Sequence, residues 1–338
     1  MVIPRRRFLK IAGSLAATAP FSSLTFGKEK KISVGIVGGG IVGASIAMHL
    51  SRTGTHVTLF EKSAPATGAT GKSFAWINAF SNDPHYRSLR LKSISAYHEL
   101  DRQLQLQIIW GGAIHWAVNL AEAEIMKANV AEFNQTGYSA QVITPEYLAE
   151  LAPNLRLGPF VAASFTPLDG HLDPISTTRA FLDQAKQHGA KIVYPCEVTE
   201  LHFERNRFTG ISTTTGTYLL DRLVIAGGVD TPTLAAKAGY TPPLIHAPGI
   251  LVHTKQTVPL ISQVIESPHM YFKQYRDGRI IGAAPWHAPD IPEHQGILKG
   301  PQEMPNEIRE MHGERILDRI KNKLPGASDT TYDHLTLG

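Results

Sequence analysis

One stretch limits this chain more than any other: GIVGGGIVGASIAMHLSRTGTHVTLFEK, residues 35–62. Ile32-Ser33-Val34-Gly35-Ile36-Val37 is a short β-branched run suited to a buried parallel strand. Gly38-Gly39-Gly40 turns the chain, and Gly43, Ile46, Ala47 and Leu50 then recur at the spacing of one helix face. Gly54 closes that helix, Val57-Thr58-Leu59-Phe60 reads as the next strand, and Glu61 ends it. Gly38, Gly40 and Gly43 thus stand in GxGxxG register at a strand-to-helix turn, with an acid 18 residues after the last glycine. Each has a task. Gly38 permits the tight turn, Gly40 lets backbone approach a pyrophosphate, and Gly43 lets helix pack closely on strand. The helix N-terminus offers free N–H groups and a positive dipole to phosphates. Glu61 suits the two hydroxyls of an adenosine ribose and disfavours a 2′-phosphate, so the unit is expected to hold FAD or NAD rather than NADP.

The chain has 338 residues, room for two domains at about 150 each. Its 33 Lys and Arg against 29 Asp and Glu look basic, yet seven of the cations fall within the first 31 residues. The remainder is slightly acidic, which argues against nucleic-acid binding. Cys196 is the single cysteine, so an internal disulfide, a cysteine-based zinc site and a CxxC pair are excluded, and a buried apolar role is expected for it. The fifteen histidines show no HExxH or close ligand spacing, and no metal site is expected. Trp76, Trp110, Trp116 and Trp286 read as core or pocket wall.

Residues 1–30 read as an export signal and linker. Arg5-Arg6-Arg7-Phe8-Leu9-Lys10 precedes an apolar run, 11–19, too short for the roughly 20 residues that span a bilayer. The order Arg-Arg-x-Phe-Leu-Lys resembles the twin-arginine signal, with Pro4 where that signal usually has Ser or Thr. A periplasmic location follows from this reading; an ordinary basic tail would leave the protein in the cytoplasm.

The choice of FAD over NAD rests on a resemblance. After Glu61-Lys62 comes Gly68-Ala69-Thr70-Gly71-Lys72-Ser73-Phe74-Ala75-Trp76-Ile77-Asn78. This resembles the second flavin segment of the FAD-dependent D-amino acid oxidase family, which includes glycine oxidase, sarcosine oxidase and D-amino acid dehydrogenase. The resemblance puts Thr70, Gly71 and Ser73 along the pyrophosphate and flavin. Asp169-Gly170-His171-Leu172-Asp173-Pro174 leads into an expected helix, 177–188, and two strands, 190–193 and 197–201. Asp221-Arg222-Leu223-Val224-Ile225-Ala226-Gly227-Gly228 is a further buried strand ending in glycines. In that order these segments resemble the family's return from substrate domain to FAD domain, which implies that the backbone of Val198 faces the adenine and that Gly227 lies under the cofactor.

The resulting expectation is an α/β chain, α+β overall, with a Rossmann-like FAD-binding domain (31–100 and 169–240) and an inserted antiparallel-sheet substrate domain (101–168 and 241–330). In the second insert, Tyr271-Phe272-Lys273-Gln274-Tyr275 and Ile280-Ile281-Gly282 flank an Asp277-Gly278 turn, a hairpin signal. Cofactor-binding candidates are Gly38, Gly40, Gly43, Glu61, Lys62, Thr70, Gly71, Ser73, Val198 and Gly227.

The resemblance implies oxidation of the C–N bond of an amine or amino acid, with a hydride passing to flavin N5 and the imine hydrolysed by water. The partners would be that small molecule and either O2 or a quinone-type acceptor, with peripheral membrane association compatible with the latter. Another FAD-linked donor, or a remnant without activity, are the alternative readings. Glycine oxidase-like members carry a carboxylate-binding arginine just before the Gly-Arg turn. Gapless alignment on Gly278-Arg279 puts Tyr275 there, with Arg276 expected on the opposite strand face. Tyr271 and His287 are the substrate-pocket candidates. Family members continue after the position of Gly338 into an Arg-Pro segment, a strand and a closing helix, so a truncated chain is expected.

Overall fold

The computed structural model describes residues 32–156, 158–244, 249–267, 270–284 and 305–337; the leader, Trp286, His287 and Gly338 lie outside these. β1 (Ser33–Val37) runs into the glycine turn, α1 (Ile41–Arg52) follows Gly40, and β2 (His56–Phe60) lies parallel to β1 with Val37 opposite Phe60. A loop leads to β3 (Trp76–Ile77). Asp83 then caps α2 (Pro84–Leu104), accepting from the backbone N–H of His85 and Tyr86, with Pro84 at the first position, where no partner for its nitrogen is needed. β4 (Ala113–Ala117), α3 (Leu120–Gln135), β5 (Gln141–Ile143), α4 (Pro145–Leu151) and β6 (Ala162–Thr166) come next.

β7 (Gly170–His171) pairs with β3, and α5 (Pro174–Gln187) starts three residues before the expected 177, because Asp173 caps it by accepting from Ser176 N–H. β8 (Lys191–Val193) precedes three strands, β9 (Val198–Glu204), β10 (Arg207–Thr213) and β11 (Gly216–Leu219). β12 (Arg222–Ile225) and α6 (Thr231–Ala236) follow. The last described elements are β13 (Ile250–Gln256), β14 (Val264–Ser267), β15 (Met270–Gln274), β16 (Arg279–Ala283), α7 (Asn306–Lys323) and β17 (Tyr332–Leu337).

β12-β1-β2-β8 form a parallel sheet. Successive side chains on a strand face opposite ways, so the sheet feeds two cores. Ile36 and Leu59 pack with Ala44, Ala47 and Met48 of α1 and Phe181 and Leu182 of α5, all buried. Val37 and Phe60 pack the other way, with Val198 and Ile211 of the antiparallel sheet β11-β10-β9. The reading from sequence missed most of that small sheet. Cys196 is buried in the same cluster, its Sγ 3.1 Å from Thr215 Oγ1.

The second large sheet has the order β17-β13-β16-β15-β14-β4-β6-β5. It differs from the expected antiparallel sheet at one joint: β14 and β4 run parallel, Val264 opposite Ala113 and Glu266 opposite His115. One face, with Ile114, Val252, Ile265, Phe272 and Ile280, buries Ile316 and Ile320 of α7. Burying side chains of this size contributes about 1.5–3 kcal/mol each. The opposite face carries Tyr271, Lys273 and His115, and it meets the loop that follows β2. Tyr271 packs edge-on against Phe74 at 4.7 Å, Lys273 Nζ donates to the carbonyls of Ala75 and Leu172 at 3.3 and 3.1 Å, and His115 lies against Trp76. Residues 332–337 form β17 and pair with β13.

Candidate cofactor cleft and the face opposite it

The glycine turn carries the geometry that its spacing implies. Gly38 has φ +109°, and a Cβ there would sit 2.3 Å from the Ala226 carbonyl oxygen. A Cβ on Gly43 would sit 2.0 Å from the Gly38 carbonyl oxygen, so α1 can approach β1 only without a side chain. Gly40 is different: its Cβ would meet only Thr70 Oγ1, at 3.0 Å. Space in front of Gly40 is therefore kept open for something other than the protein core. Glu61 Oε2 accepts from Gly39 N–H at 2.7 Å and its Oε1 from Ser63 N–H at 2.9 Å, which fixes the carboxylate at the mouth of the turn with lone pairs to spare. Thr70 Oγ1 accepts from Ile41 N–H at 3.0 Å, tying the second loop to the start of α1.

Two clefts flank this turn. The first, about 400 Å³, is lined by Gly38, Glu61, Lys62, Val198 and Gly227 among others. Lys62 reaches across to Asp230 at 2.5 Å, and that hydrogen bond, ahead of the opposing effect of burial, holds the ammonium above its ordinary range. The second cleft, about 270 Å³, runs from Ile41, Thr70 and Ser73 to Trp76, Asn78 and Tyr97. Gly71 is at the base of this loop, where a Cβ would strike the Ala66 carbonyl oxygen at 2.3 Å. These residues could hold an extended dinucleotide, with Glu61 and Val198 available to an adenosine, Gly40 and the N-terminus of α1 to a pyrophosphate, and Thr70 and Ser73 to the remainder.

Trp76 sits at the far end of the second cleft and is held from behind. Its indole N–H donates to Asp169 Oδ2 at 2.9 Å, and Tyr138 donates its hydroxyl to Asp169 Oδ1 at 2.5 Å. Burial pushes the Asp169 carboxyl up to about 7, against the hydrogen bonds from Tyr138 and Trp76 and the charge of His115. The Trp76 ring lies 5.9 Å from the ring of His115, whose Nδ1 is 2.7 Å from Glu266. Burial opposes charge on His115, but the hydrogen bond and charge of Glu266 outweigh it and raise its pKa. Nearby, burial followed by the charge of Lys273 lowers His171 to about 3, so this imidazole is neutral.

The family-model comparison decides what this arrangement belongs to: the model described as DAO, FAD dependent oxidoreductase, matches residues 33–335. The chain belongs to this family of FAD-dependent oxidoreductases. FAD is its cofactor, and the fit of the cleft to a dinucleotide agrees with that. Dimethylglycine dehydrogenase of Mus musculus is 28% identical over 306 residues, covering 87% of this chain but 35% of the relative. The beta subunit of sarcosine oxidase from Arthrobacter is 26% identical over 269 residues, covering 76% and 66%. The chain spans about a third of the length of the dimethylglycine dehydrogenases it matches. Among solved structures, L-proline dehydrogenase from P. horikoshii superposes with a TM-score of 0.79 at 24% identity, over 91% of this chain and 81% of that one, a likeness of fold.

Within this DAO fold the sequence candidates distribute unevenly. Gly38, Gly40, Glu61, Lys62, Thr70, Ser73, Val198 and Gly227 line or border the two clefts, while Gly43 and Gly71 act one layer behind, through packing. Tyr271 lies on the opposed sheet face against Phe74, and His287 is outside the described residues. Tyr275 is buried beside Leu251 and Ile281, whereas Arg276 is exposed and donates to the carbonyls of Gln107 and Ile108. Sequence reasoning missed Asp169, Tyr138, His115 and Glu266 as site groups. One signal was present: His115 is a polar position in the otherwise apolar strand AIHWA, and Glu266 follows two apolar residues in VIES. Among the described residues no group of His, Cys, Asp and Glu could hold a metal ion, and no helix is long and apolar enough to cross a membrane.

Proposed function

We propose that this chain oxidises the C–N bond of an amine or amino acid. The observation that carries the reading is the position of Trp76, which ends the cofactor cleft on one side and meets the polar sheet face of His115, Glu266 and Tyr271 on the other. A small amine held against that face would lie beside the flavin end of the cleft. Bound FAD supplies the two-electron acceptor for the hydrogen on the carbon next to nitrogen. The protein's share is orientation and exclusion of water. Asp169 fixes the Trp76 ring through its indole N–H, and the Phe74–Tyr271 edge contact closes the side of the loop. Similarity to dimethylglycine dehydrogenase and to sarcosine oxidase subunit beta supports an N-substituted amine as donor.

Steady-state assays with an artificial electron acceptor test this, using D-amino acids, glycine, N-methyl amino acids and simple amines. The proposal expects acceptor reduction matched by a carbonyl product from imine hydrolysis. Acceptor reduction without carbonyl product would point to a donor other than an amine.

We further propose that Arg5-Arg6-Arg7-Phe8-Leu9-Lys10 directs twin-arginine export, so that O2 or a quinone-type carrier in or near the membrane reoxidises the flavin. Fusing residues 1–31 to a reporter active only in the periplasm tests this: activity that disappears with Arg5→Lys and Arg6→Lys together supports the route, and unchanged activity opposes it.

A further inference from the structure

The loop between β2 and β3 ends at Ala75, which has φ +53°, a left-handed conformation that a residue with a side chain adopts only at a cost. The turn falls at a sensitive place. Phe74, on one side of it, packs edge-on against Tyr271 of the opposed sheet, and Trp76, on the other, starts β3 opposite His171. Ala75, Trp76 and Leu172 all line the second cofactor cleft.

Two groups grip the Ala75 carbonyl. Leu172 N–H donates to it at 3.3 Å, and Lys273 Nζ donates to it at 3.3 Å and to the Leu172 carbonyl at 3.1 Å. Lys273 thereby joins three segments distant in sequence: the loop after β2, the run into α5, and β15. Its side chain is fully buried, with Nζ 4.4 Å from the centre of the Tyr275 ring and 5.3 Å from that of Phe74. Burial pushes its pKa well below the ordinary lysine range, against the charge of Asp173.

A lysine in such a setting is a costly way to fill space, since a methionine would occupy it without desolvating an amine. What methionine cannot do is donate. An ammonium offers three N–H donors, and the uncharged amine still has two, one for each carbonyl, so the bridge persists in either protonation state.

We propose that Lys273 is a positioning residue for the cofactor: by holding the Ala75 and Leu172 carbonyls it keeps Ala75 left-handed, and so fixes the segment from Phe74 to Trp76 at the end of the cleft before FAD binds. The role does not depend on which donor is oxidised, so it stands apart from the amine reading above.

The test uses the full chain as apoprotein, titrated with FAD, beside thermal unfolding of the same samples. Lys273→Met keeps a buried unbranched side chain and removes both donors; FAD affinity should fall about tenfold, as for one lost hydrogen bond. Adding Ala75→Gly to that variant should restore most of the affinity, because glycine takes the left-handed turn without being held in it. A lysine that only filled the core would give no such rescue. Ala75→Val, with Lys273 in place, opposes the turn directly and should also weaken FAD about tenfold. Unchanged FAD affinity in Lys273→Met overturns the proposal, and so does a loss that Ala75→Gly leaves in place. If Lys273→Met does not fold, Ala75→Val decides: a loss of about tenfold from an apoprotein that still melts cooperatively supports the proposal, and an affinity within about twofold of the wild type overturns it.

Discussion

Asp169 accepts the indole N–H of Trp76 at 2.9 Å, although 93 residues separate them in the chain. The same carboxyl accepts the Tyr138 hydroxyl; Trp76 lines the cofactor cleft, and Asp169 and Tyr138 are buried. Replacing Asp169 with Ala strands the buried Tyr138 hydroxyl, at a cost of about 1–3 kcal/mol, and removes the partner of the half-buried Trp76 indole N–H. Thermal unfolding should show a loss of roughly that size, and Trp76 fluorescence should report a more mobile ring.

The same residue gives a pH dependence with a definite sign. Its carboxyl titrates near 7 in the folded chain, above the ordinary carboxylate value of 3.8, so between those values the folded state binds the extra proton. This contribution to stability is complete below about 4 and is lost as pH rises through about 7. Asp169→Asn removes the titration. The difference in unfolding free energy between wild type and Asp169→Asn should therefore move against the wild type from pH 4 to pH 7; a flat difference contradicts the assignment.

The glycines separate folding from cofactor binding. Gly43→Ala drives a Cβ to 2.0 Å from the Gly38 carbonyl and should lower both thermal stability and FAD retention. Gly40→Ala meets only Thr70 Oγ1, at 3.0 Å, so the apoprotein should unfold within about 1 kcal/mol of the wild type, as for substitutions away from the core. Its FAD affinity should nonetheless fall about tenfold or more, because the added methyl occupies the approach to the pyrophosphate. Equilibrium FAD titration of both variants, beside their melting curves, checks the contrast.

Leu335 of β17 is 8% exposed and packs in the α7 cluster. Leu335→Ala should cost about 2–5 kcal/mol. A cost below about 1 kcal/mol, measured by denaturant unfolding, would mean that β17 frays rather than packing in the α7 cluster.

What could be read from sequence follows the range of the interactions. The glycine turn was legible because the tasks of Gly38, Gly40 and Gly43 are set within six residues, and Glu61 belongs to the next strand. The Tyr275 hairpin was legible for the same reason, its turn closed by Gly278 N–H donating to the Tyr275 carbonyl. Asp169 was visible only as part of the Asp-Gly-His run, since its partners at 76 and 138 reach it by tertiary folding. His115 and Glu266 are joined by the parallel β4–β14 pairing, and no local pattern announces a pairing between strands so far apart in sequence. The expected start of α5 falls three residues late because Asp173 and Pro174 belong to the run that leads into the helix, whereas they are its cap and first turn.

Anaerobic bleaching of the flavin band by an amine tests the central claim most directly. The purified chain, loaded with FAD, should show an oxidised flavin spectrum that collapses on adding an amine donor and returns when an electron acceptor is admitted. A stable oxidised spectrum in the presence of every amine and amino acid tried, from a protein that retains FAD, would contradict it.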